Sequence, residues 1–86
     1  MPWRLERTRP AIRDMEHMPE DDRLRVEFTF ARLLQDPGQV SLAKLGGRRD
    51  EWRVRVGSWR AIVQLDTATG VIRVLRVLPR GRAYRD

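Results

Sequence analysis

Residues 51–65, EWRVRVGSWRAIVQL, decide the fold of this 86-residue chain. Charged and apolar side chains alternate from Glu51 to Val56, which is the period of a strand with one buried face. Gly57-Ser58 is a two-residue turn with glycine first, as a type II′ β-hairpin requires, and a second strand follows from Trp59 to Leu65. Such a short turn sets the register of the two strands. The predicted pairs are Val56 with Trp59, Arg55 with Arg60, Val54 with Ala61, and Arg53 with Ile62.

The predicted hairpin divides its side chains between two faces. The apolar face, expected to pack on helices, carries Trp52, Val54, Val56, Trp59, Ala61, Val63 and Leu65. The opposite face, which we call the arginine face, carries Arg53, Arg55 and Arg60. Like charges directly opposite each other destabilise a strand pair by up to about 1 kcal/mol. Two explanations therefore stay open: Glu51 or a helix carboxylate neutralises this face through ordinary surface ion pairs, or an external anion binds it.

A third strand is predicted to follow the hairpin. Residues 66–70 form a second turn and residues 71–78 a strand, so the C-terminal half is a three-strand antiparallel meander. If the last residue of the second strand faces the first residue of the third, Arg76 opposes Arg60 and joins the arginine face. A turn that differs by one residue brings Arg73 there instead.

The N-terminal half has helical periodicity. A short strand over residues 3–7 precedes a helix capped by Thr8, with Pro10 tolerated in its first turn. Pro19 separates this helix from a second, which ends at Pro37-Gly38. The apolar stripes are Ala11, Ile12, Met15 and Met18 in the first helix, and Leu24, Val26, Phe28, Phe30, Ala31, Leu33 and Leu34 in the second. The predicted fold class is therefore α+β: an N-terminal strand and a two-helix hairpin packed on a mostly antiparallel sheet.

Charge is distributed unevenly along the chain. Residues 1–47 carry eight basic and eight acidic side chains, whereas residues 48–86 carry ten basic and four acidic ones, so the net charge of +6 lies in the C-terminal half. Lys44 is the only lysine among the 18 basic residues, and arginine favours planar, bidentate binding of anions. This composition indicates a polyanionic partner, which RNA, DNA or an acidic protein segment would satisfy.

The composition also excludes several classes of function. Without cysteine the chain has no disulfide framework, thiolate metal site or cysteine nucleophile. One histidine, His17, is too few for a zinc cluster. No apolar run approaches the roughly 20 residues that span a bilayer, and the N-terminus lacks the apolar region of a signal peptide. We therefore expect one domain over residues 1–86, located in the cytoplasm and without a membrane partner.

The C-terminal segment combines cations with an aromatic ring. Its sequence is Arg80-Gly81-Arg82-Ala83-Tyr84-Arg85. Bases of single-stranded nucleic acid stack on tyrosine while guanidinium groups bind phosphates. The alternative is that Tyr84 is a hydrophobic lid on the last strand, with its hydroxyl group in water.

Three stretches together resemble a known family. They are Lys44-Leu45-Gly46-Gly47, then Trp52-Arg53-Val54-Arg55-Val56-Gly57-Ser58-Trp59-Arg60-Ala61-Ile62-Val63, then Leu78-Pro79-Arg80-Gly81-Arg82-Ala83-Tyr84-Arg85. They are similar to the RelE/ParE superfamily of bacterial type II toxins, and most similar to the RelE-like mRNA interferases. The resemblance covers essentially the whole chain and implies the RelE-like order of strand, two helices and antiparallel meander.

The resemblance implies an endoribonuclease that cleaves mRNA in the ribosomal A site and is held inactive by a cognate antitoxin. The implied reaction uses no metal or cofactor: a ribose 2′-OH attacks the adjacent phosphate. The complex with the antitoxin is also expected to contact operator DNA. The implied catalytic residues are Arg53, Arg55, Arg60, Arg80 and Tyr84, and further RNA-binding residues are Lys44, Arg76, Arg82 and Arg85.

The chain departs from the family where the family places proton-transfer groups. The family often has lysine at one of the positions of Arg53 and Arg55, and histidine at the position of Pro79. Arginine stays protonated at neutral pH and is a poor base, and His17, before Pro19, is interpreted as an ordinary helix residue. Two other functions therefore stay open: a ParE-like toxin that poisons DNA gyrase, and a catalytically inactive nucleic-acid-binding relative.

Overall fold

Two helices and one five-stranded sheet form the part of the chain that a computed structural model describes, which is residues 3–40, 42–44 and 50–79. The elements are β1 (Arg4–Arg7), α1 (Arg9–Glu16), α2 (Glu20–Gln35), a 3₁₀ turn (Pro37–Gln39), β2 (Leu42–Lys44), β3 (Glu51–Val56), β4 (Trp59–Asp66) and β5 (Val71–Pro79). The strand order is β1-β5-β4-β3-β2. Only the β1–β5 pair is parallel. The predicted α+β class is confirmed; β2, within the loop predicted between helix and hairpin, was not predicted.

The first helix begins as the sequence predicts. The Thr8 hydroxyl oxygen accepts a hydrogen bond from the Ala11 N–H, at 3.2 Å. The same hydroxyl donates to the Leu75 carbonyl, at 2.8 Å, and so joins the start of α1 to β5. Ala11 and Met15 then face the core. The cap therefore both starts the helix and places it on the sheet.

The core lies between the helices and one face of the sheet. Its largest helical side chains are Phe30 and Leu33, which with Val26 form the buried side of α2. The predicted apolar stripes are too broad, because Ile12, Leu24 and Phe28 are 43%, 57% and 66% exposed. Residues two positions apart on an α-helix point about 200° apart, so α2 cannot bury both Phe28 and Phe30 against one sheet.

The hairpin register is confirmed. All six pairs between β3 and β4 follow the predicted alignment, including Arg55 opposite Arg60 and Val56 opposite Trp59. Gly57 has a φ of 59°, the left-handed value that the first turn position demands.

The predicted register of β5 is wrong. Arg60 faces Leu78, and Arg76 faces Ile62. Val71 pairs with Asp66 and not, as predicted, with Leu65. An irregularity at Ile62/Val63 then shifts the pairing by one further residue. Each one-residue shift turns the following side chains to the other face. The first shift alone brings Arg73, opposite Gln64, to the side of the sheet that carries the arginine face. Beyond the bulge the two shifts cancel, so Arg76, opposite Ile62, lies on that side as well.

An ion pair ties β1 to α2. Arg7 donates from Nη1 and Nη2 to the two carboxylate oxygens of Glu27, at 2.7 and 2.5 Å. The Arg7 guanidinium also lies 5.5 Å from the centre of the Phe30 ring. Hydrogen bonding from Arg7 lowers the pKa of Glu27 from its ordinary value.

This pair predicts a pH-dependent contribution to stability. A carboxylate whose pKa is lowered by folding stabilises the folded state above its unfolded pKa and loses that effect as the pH falls through the folded value. Because the Glu27 side chain is 40% exposed, solvent screening limits the loss in Glu27→Gln to about 0.5–1 kcal/mol at neutral pH. Urea unfolding of both proteins measures this difference, which should vanish in acid below the lowered pKa. A difference that is independent of pH would contradict the assignment.

Candidate nucleic-acid interface

The arginine face is built by two rows of side chains that cross β3, β4 and β5. One row is Arg55, Arg60 and Leu78, and the next is Arg53, Ile62 and Arg76. Neighbouring strands lie about 4.8 Å apart and alternate residues about 7 Å apart. The backbone therefore brings four arginines onto a small area of one sheet face, although their side chains differ in what they contact.

Arg55 is the arginine of this face best placed to bind an external anion. Its side chain is exposed at the end of β3, and it forms no ion pair within the described residues. Arg53, two residues earlier, is only partly exposed and already has an interaction partner. An incoming phosphate would therefore meet Arg55 as an uncompensated cation.

Arg60 lies in the predicted register, but its side chain is buried. It is 2% exposed, so the expectation that all three arginines form a solvent-exposed patch is wrong for this residue. Its Nη1 donates to the carbonyls of Gly57 and Trp59, at 3.1 and 2.9 Å, and its Nε is buried without a partner among the described residues. The guanidinium group folds back onto its own turn, where two carbonyl groups bind it.

Arg76 is held by a carboxylate from α1. Its Nε and Nη2 donate to the two oxygens of Asp14, at 2.7 and 3.0 Å. The Val77 N–H donates to the same carboxylate, at 2.9 Å. Hydrogen bonding by Asp14 raises the pKa of Arg76. An RNA phosphate would have to replace Asp14, a residue that local sequence patterns did not identify because it lies 62 positions away.

Lys44 lies on the other side of the sheet. It pairs with Trp52, whose side chain packs against the core, and paired residues share a face. Its Nζ lies 5.9 Å from the centre of the Trp52 ring. The structure therefore does not bring Lys44 to the arginine face.

Comparison with known proteins gives the chain a family. Residues 5–84 match the model of the ParE toxin of the type II toxin–antitoxin system parDE. This match covers nearly the whole chain. The protein belongs to the ParE toxin family.

Solved structures place this toxin within the RelE/ParE superfamily. The archaeal RelE–RelB complex from Pyrococcus horikoshii is similar with a TM-score of 0.81 and 25% identity, over 95% of this chain and 99% of that one. The RelBE2 complex from Mycobacterium tuberculosis gives 0.79 and 26%, over 93% and 100%. The intact RelBE complex of E. coli gives 0.78 and 19%, over 95% and 100%, and shows the fold alone. No curated protein matches the sequence of the toxin.

Several predicted residues of the toxin lie outside the described part of the chain. They are Arg80, Arg82, Tyr84 and Arg85, whose roles stay predictions. β5 ends at Pro79, which pairs with Trp59 at the hairpin turn. β5 therefore ends at the same end of the sheet as Arg55 and Arg60.

His17 belongs to the end of α1. Its Nδ1 lies 2.8 Å from the Arg13 carbonyl, one turn earlier in the helix. Within the described ranges, no group of three or more histidine and carboxylate side chains is arranged to hold a metal. None of the helices described here is long and apolar enough to cross a membrane.

Proposed function

We propose that this toxin is a ribosome-dependent endoribonuclease that cleaves mRNA in the A site without a metal ion. The observation that carries the proposal is Arg55, an exposed cation without an ion pair in the described part of the chain, on a sheet face that also carries Arg53, Arg60 and Arg76. The similarity to RelE toxins at 25–26% identity over more than nine-tenths of the chain supports the RelE-like activity.

The proposed reaction is an internal displacement at phosphorus. The ribose 2′-oxygen forms a bond to the adjacent phosphorus, the bond to the 5′-oxygen breaks, and the products are a 2′,3′-cyclic phosphate and a 5′-hydroxyl end. The proton lost by the 2′-OH balances the one gained by the 5′-oxygen. Negative charge grows on the phosphate oxygens, and a fixed guanidinium group stabilises it.

Each of the five residues predicted to be catalytic then has a proposed role. Arg55 and Arg53 bind the reacting phosphate, and Arg80 lies near the leaving 5′-oxygen. Tyr84 stacks on or orients a base. Arg60 holds the hairpin turn that carries Arg55, as its two hydrogen bonds to turn carbonyls indicate. Neither arginine of β3 acts as a base at neutral pH, so the proton of the 2′-OH passes to the ribosome, the substrate or water.

The proposal includes the partners that such a toxin requires. A cognate antitoxin holds it inactive, and the complex of the two contacts operator DNA. Its substrate is translated mRNA, so it acts in the cytoplasm. The relatives named above are themselves complexes of toxin and antitoxin.

Primer extension on translated mRNA tests the proposal. Induction of the wild-type toxin should produce cuts at codon boundaries, and Arg80→Ala should reduce them at least tenfold because one cation near the leaving oxygen is lost. Tyr84→Phe keeps the ring and should retain most of the cleavage if Tyr84 acts by stacking. Growth arrest without mRNA cuts but with gyrase-dependent DNA breaks would replace this proposal with the ParE-like function.

A further inference from the structure

A cavity opens at the outer edge of β5, between this strand and α1. Its volume of about 350 Å³ lies in the range of ligand pockets. β1 pairs with β5 only over residues 71–74, so α1 and not a strand adjoins the rest of that edge. The lining of the cavity includes Arg13 and His17 of α1, Trp59 of β4, and Arg76, Leu78 and Pro79 of β5.

One wall of the cavity is apolar and rigid. It is formed by Trp59, Leu78 and Pro79. The Trp59 ring is fixed, because its Nε1 donates a hydrogen bond to the carboxylate of Asp22 on α2, at 3.1 Å. Nucleobases stack on aromatic rings that the protein holds in place. This wall therefore suits the flat face of a base.

The opposite wall carries a cation that the chain does not neutralise. Arg13 is exposed and forms no ion pair in residues 3–40, 42–44 and 50–79. Arg76 also lines the cavity, but its guanidinium group is bound by Asp14, whose carboxylate lies in the same lining. The charges of this pair cancel, so Arg13 gives the wall a net positive charge that a phosphate group would neutralise.

The His17 ring has one nitrogen committed to its own helix. Its Nδ1 lies 2.8 Å from the carbonyl oxygen of Arg13. A carbonyl oxygen only accepts hydrogen bonds, so Nδ1 carries a proton and Nε2 of the neutral ring is an acceptor. The side chain is exposed and lines the cavity. Nε2 is therefore the ring nitrogen left for a ligand, and a hydroxyl group is a donor that suits it.

Leu78 connects the cavity to the arginine face. It lines the cavity and, opposite Arg60, also ends the row that begins with Arg55. Two strand spacings place its backbone about 10 Å from that of Arg55 across the sheet. A neighbouring nucleotide of an RNA strand bound at Arg55 covers such a distance. The cavity is therefore positioned to receive part of the same strand.

We propose that this cavity is a subsite for the mRNA nucleotide next to the one whose 2′-OH attacks. The base of this nucleotide packs against Trp59, its 2′-hydroxyl donates to Nε2 of His17, and its phosphate pairs with Arg13. Because DNA lacks that hydroxyl, His17 favours RNA at this position. The inference rests on the proposed nuclease function and extends substrate recognition from the arginine face to α1.

Chemically altered mRNA tests the role of His17. A single 2′-deoxy substitution is placed at each nucleotide that flanks the attacking one, and cleavage on programmed ribosomes is measured at limiting toxin. At one of these positions it should slow the wild-type toxin about three- to tenfold, as expected for one lost hydrogen bond. His17→Ala should be slowed by a similar factor on unaltered mRNA, with no further loss on the deoxy substrate. An equal deoxy effect in both toxins would overturn the subsite and leave the nuclease function standing.

A matched pair of arginine variants tests the phosphate contact. Arg13→Ala should raise the toxin concentration needed for half-maximal cleavage about fivefold at low salt, because an exposed charged contact is lost. Arg9→Ala removes the same charge from an exposed position of the same helix, outside the lining, and should change it less than threefold. If Arg13→Ala and His17→Ala equally weaken binding to ribosomes without mRNA, the ligand is ribosomal RNA and the proposal fails.

A titration of the free, unaltered toxin gives a readout that does not depend on cleavage. NMR follows the Trp59 indole N–H and the His17 ring while a trinucleotide RNA, or DNA of the same sequence, is added. RNA should shift both signals, and DNA should shift the His17 signal less than half as much. The absence of RNA-induced shifts at both residues would overturn the subsite. The expected shifts in a toxin that cuts no mRNA would support the subsite and reject the nuclease function.

Discussion

Arg55→Ala is expected to reduce mRNA cleavage by about 10²–10³-fold in the absence of antitoxin. The guanidinium group of Arg55 is exposed and, within the described chain, unpaired, so the developing charge on the phosphate would lose a preorganised donor. Stability should change by less than about 0.5 kcal/mol, because the side chain is on the surface and faces another arginine. Single-turnover cleavage on programmed ribosomes, with thermal unfolding measured in parallel, separates the two effects.

Arg9→Ala is the matched control for this experiment. Arg9 is also an exposed arginine, but it begins α1, the helix that packs on β5. Its loss lowers the net charge by the same amount and should change cleavage less than threefold. Equal losses in both variants would show that cleavage depends on total charge and not on the position of Arg55.

Arg60→Ala is expected to destabilise the toxin by about 2–4 kcal/mol. The substitution removes the largest of the fully buried side chains and leaves a cavity. It also leaves the carbonyls of Gly57 and Trp59 without the donor that binds them. Denaturant unfolding measures the change, and any loss of cleavage in this variant has to be compared with the fraction that is folded.

Arg60→Met distinguishes packing from hydrogen bonding at this position. Methionine fills much of the same volume, and it removes a buried charge whose Nε has no partner among the described residues. We expect less than half the destabilisation of Arg60→Ala. If both variants are as stable as wild type, the side chain is not buried in solution and Arg60 becomes available as a direct phosphate ligand.

The central hairpin was predictable from sequence because its determinants are local. Strict alternation assigns each side chain to a face, and a two-residue turn that starts with Gly57 allows one register. The next turn, over residues 66–70, allowed two registers. No short sequence pattern predicted the bulge at Ile62/Val63. The same reasoning that succeeded for Arg55 opposite Arg60 therefore failed one strand later.

The candidate site was predictable in its positions but not in its contacts. Registers place Arg53, Arg55 and Arg60 on one face, which the strand pairs confirm. Whether an arginine is available depends on partners that are distant in sequence, as Asp14 is for Arg76, or on the direction in which its own side chain folds, as for Arg60. The exposure of Leu24 and Phe28 was missed because amphipathic periodicity alone does not say how much of an apolar stripe one sheet can cover.

By itself, the sequence determined the α+β fold, the Thr8 cap, the hairpin register and the family, because each depends on residues that are neighbours or on a motif of fixed spacing. The tertiary structure alone decided which arginines are available. It paired Arg76 with Asp14, buried Arg60 against its own turn, and left Arg55 exposed. A guanidinium group binds whichever acceptor the folded chain brings within reach, so identical residues on one face acquire different roles only once the helices have packed on the sheet.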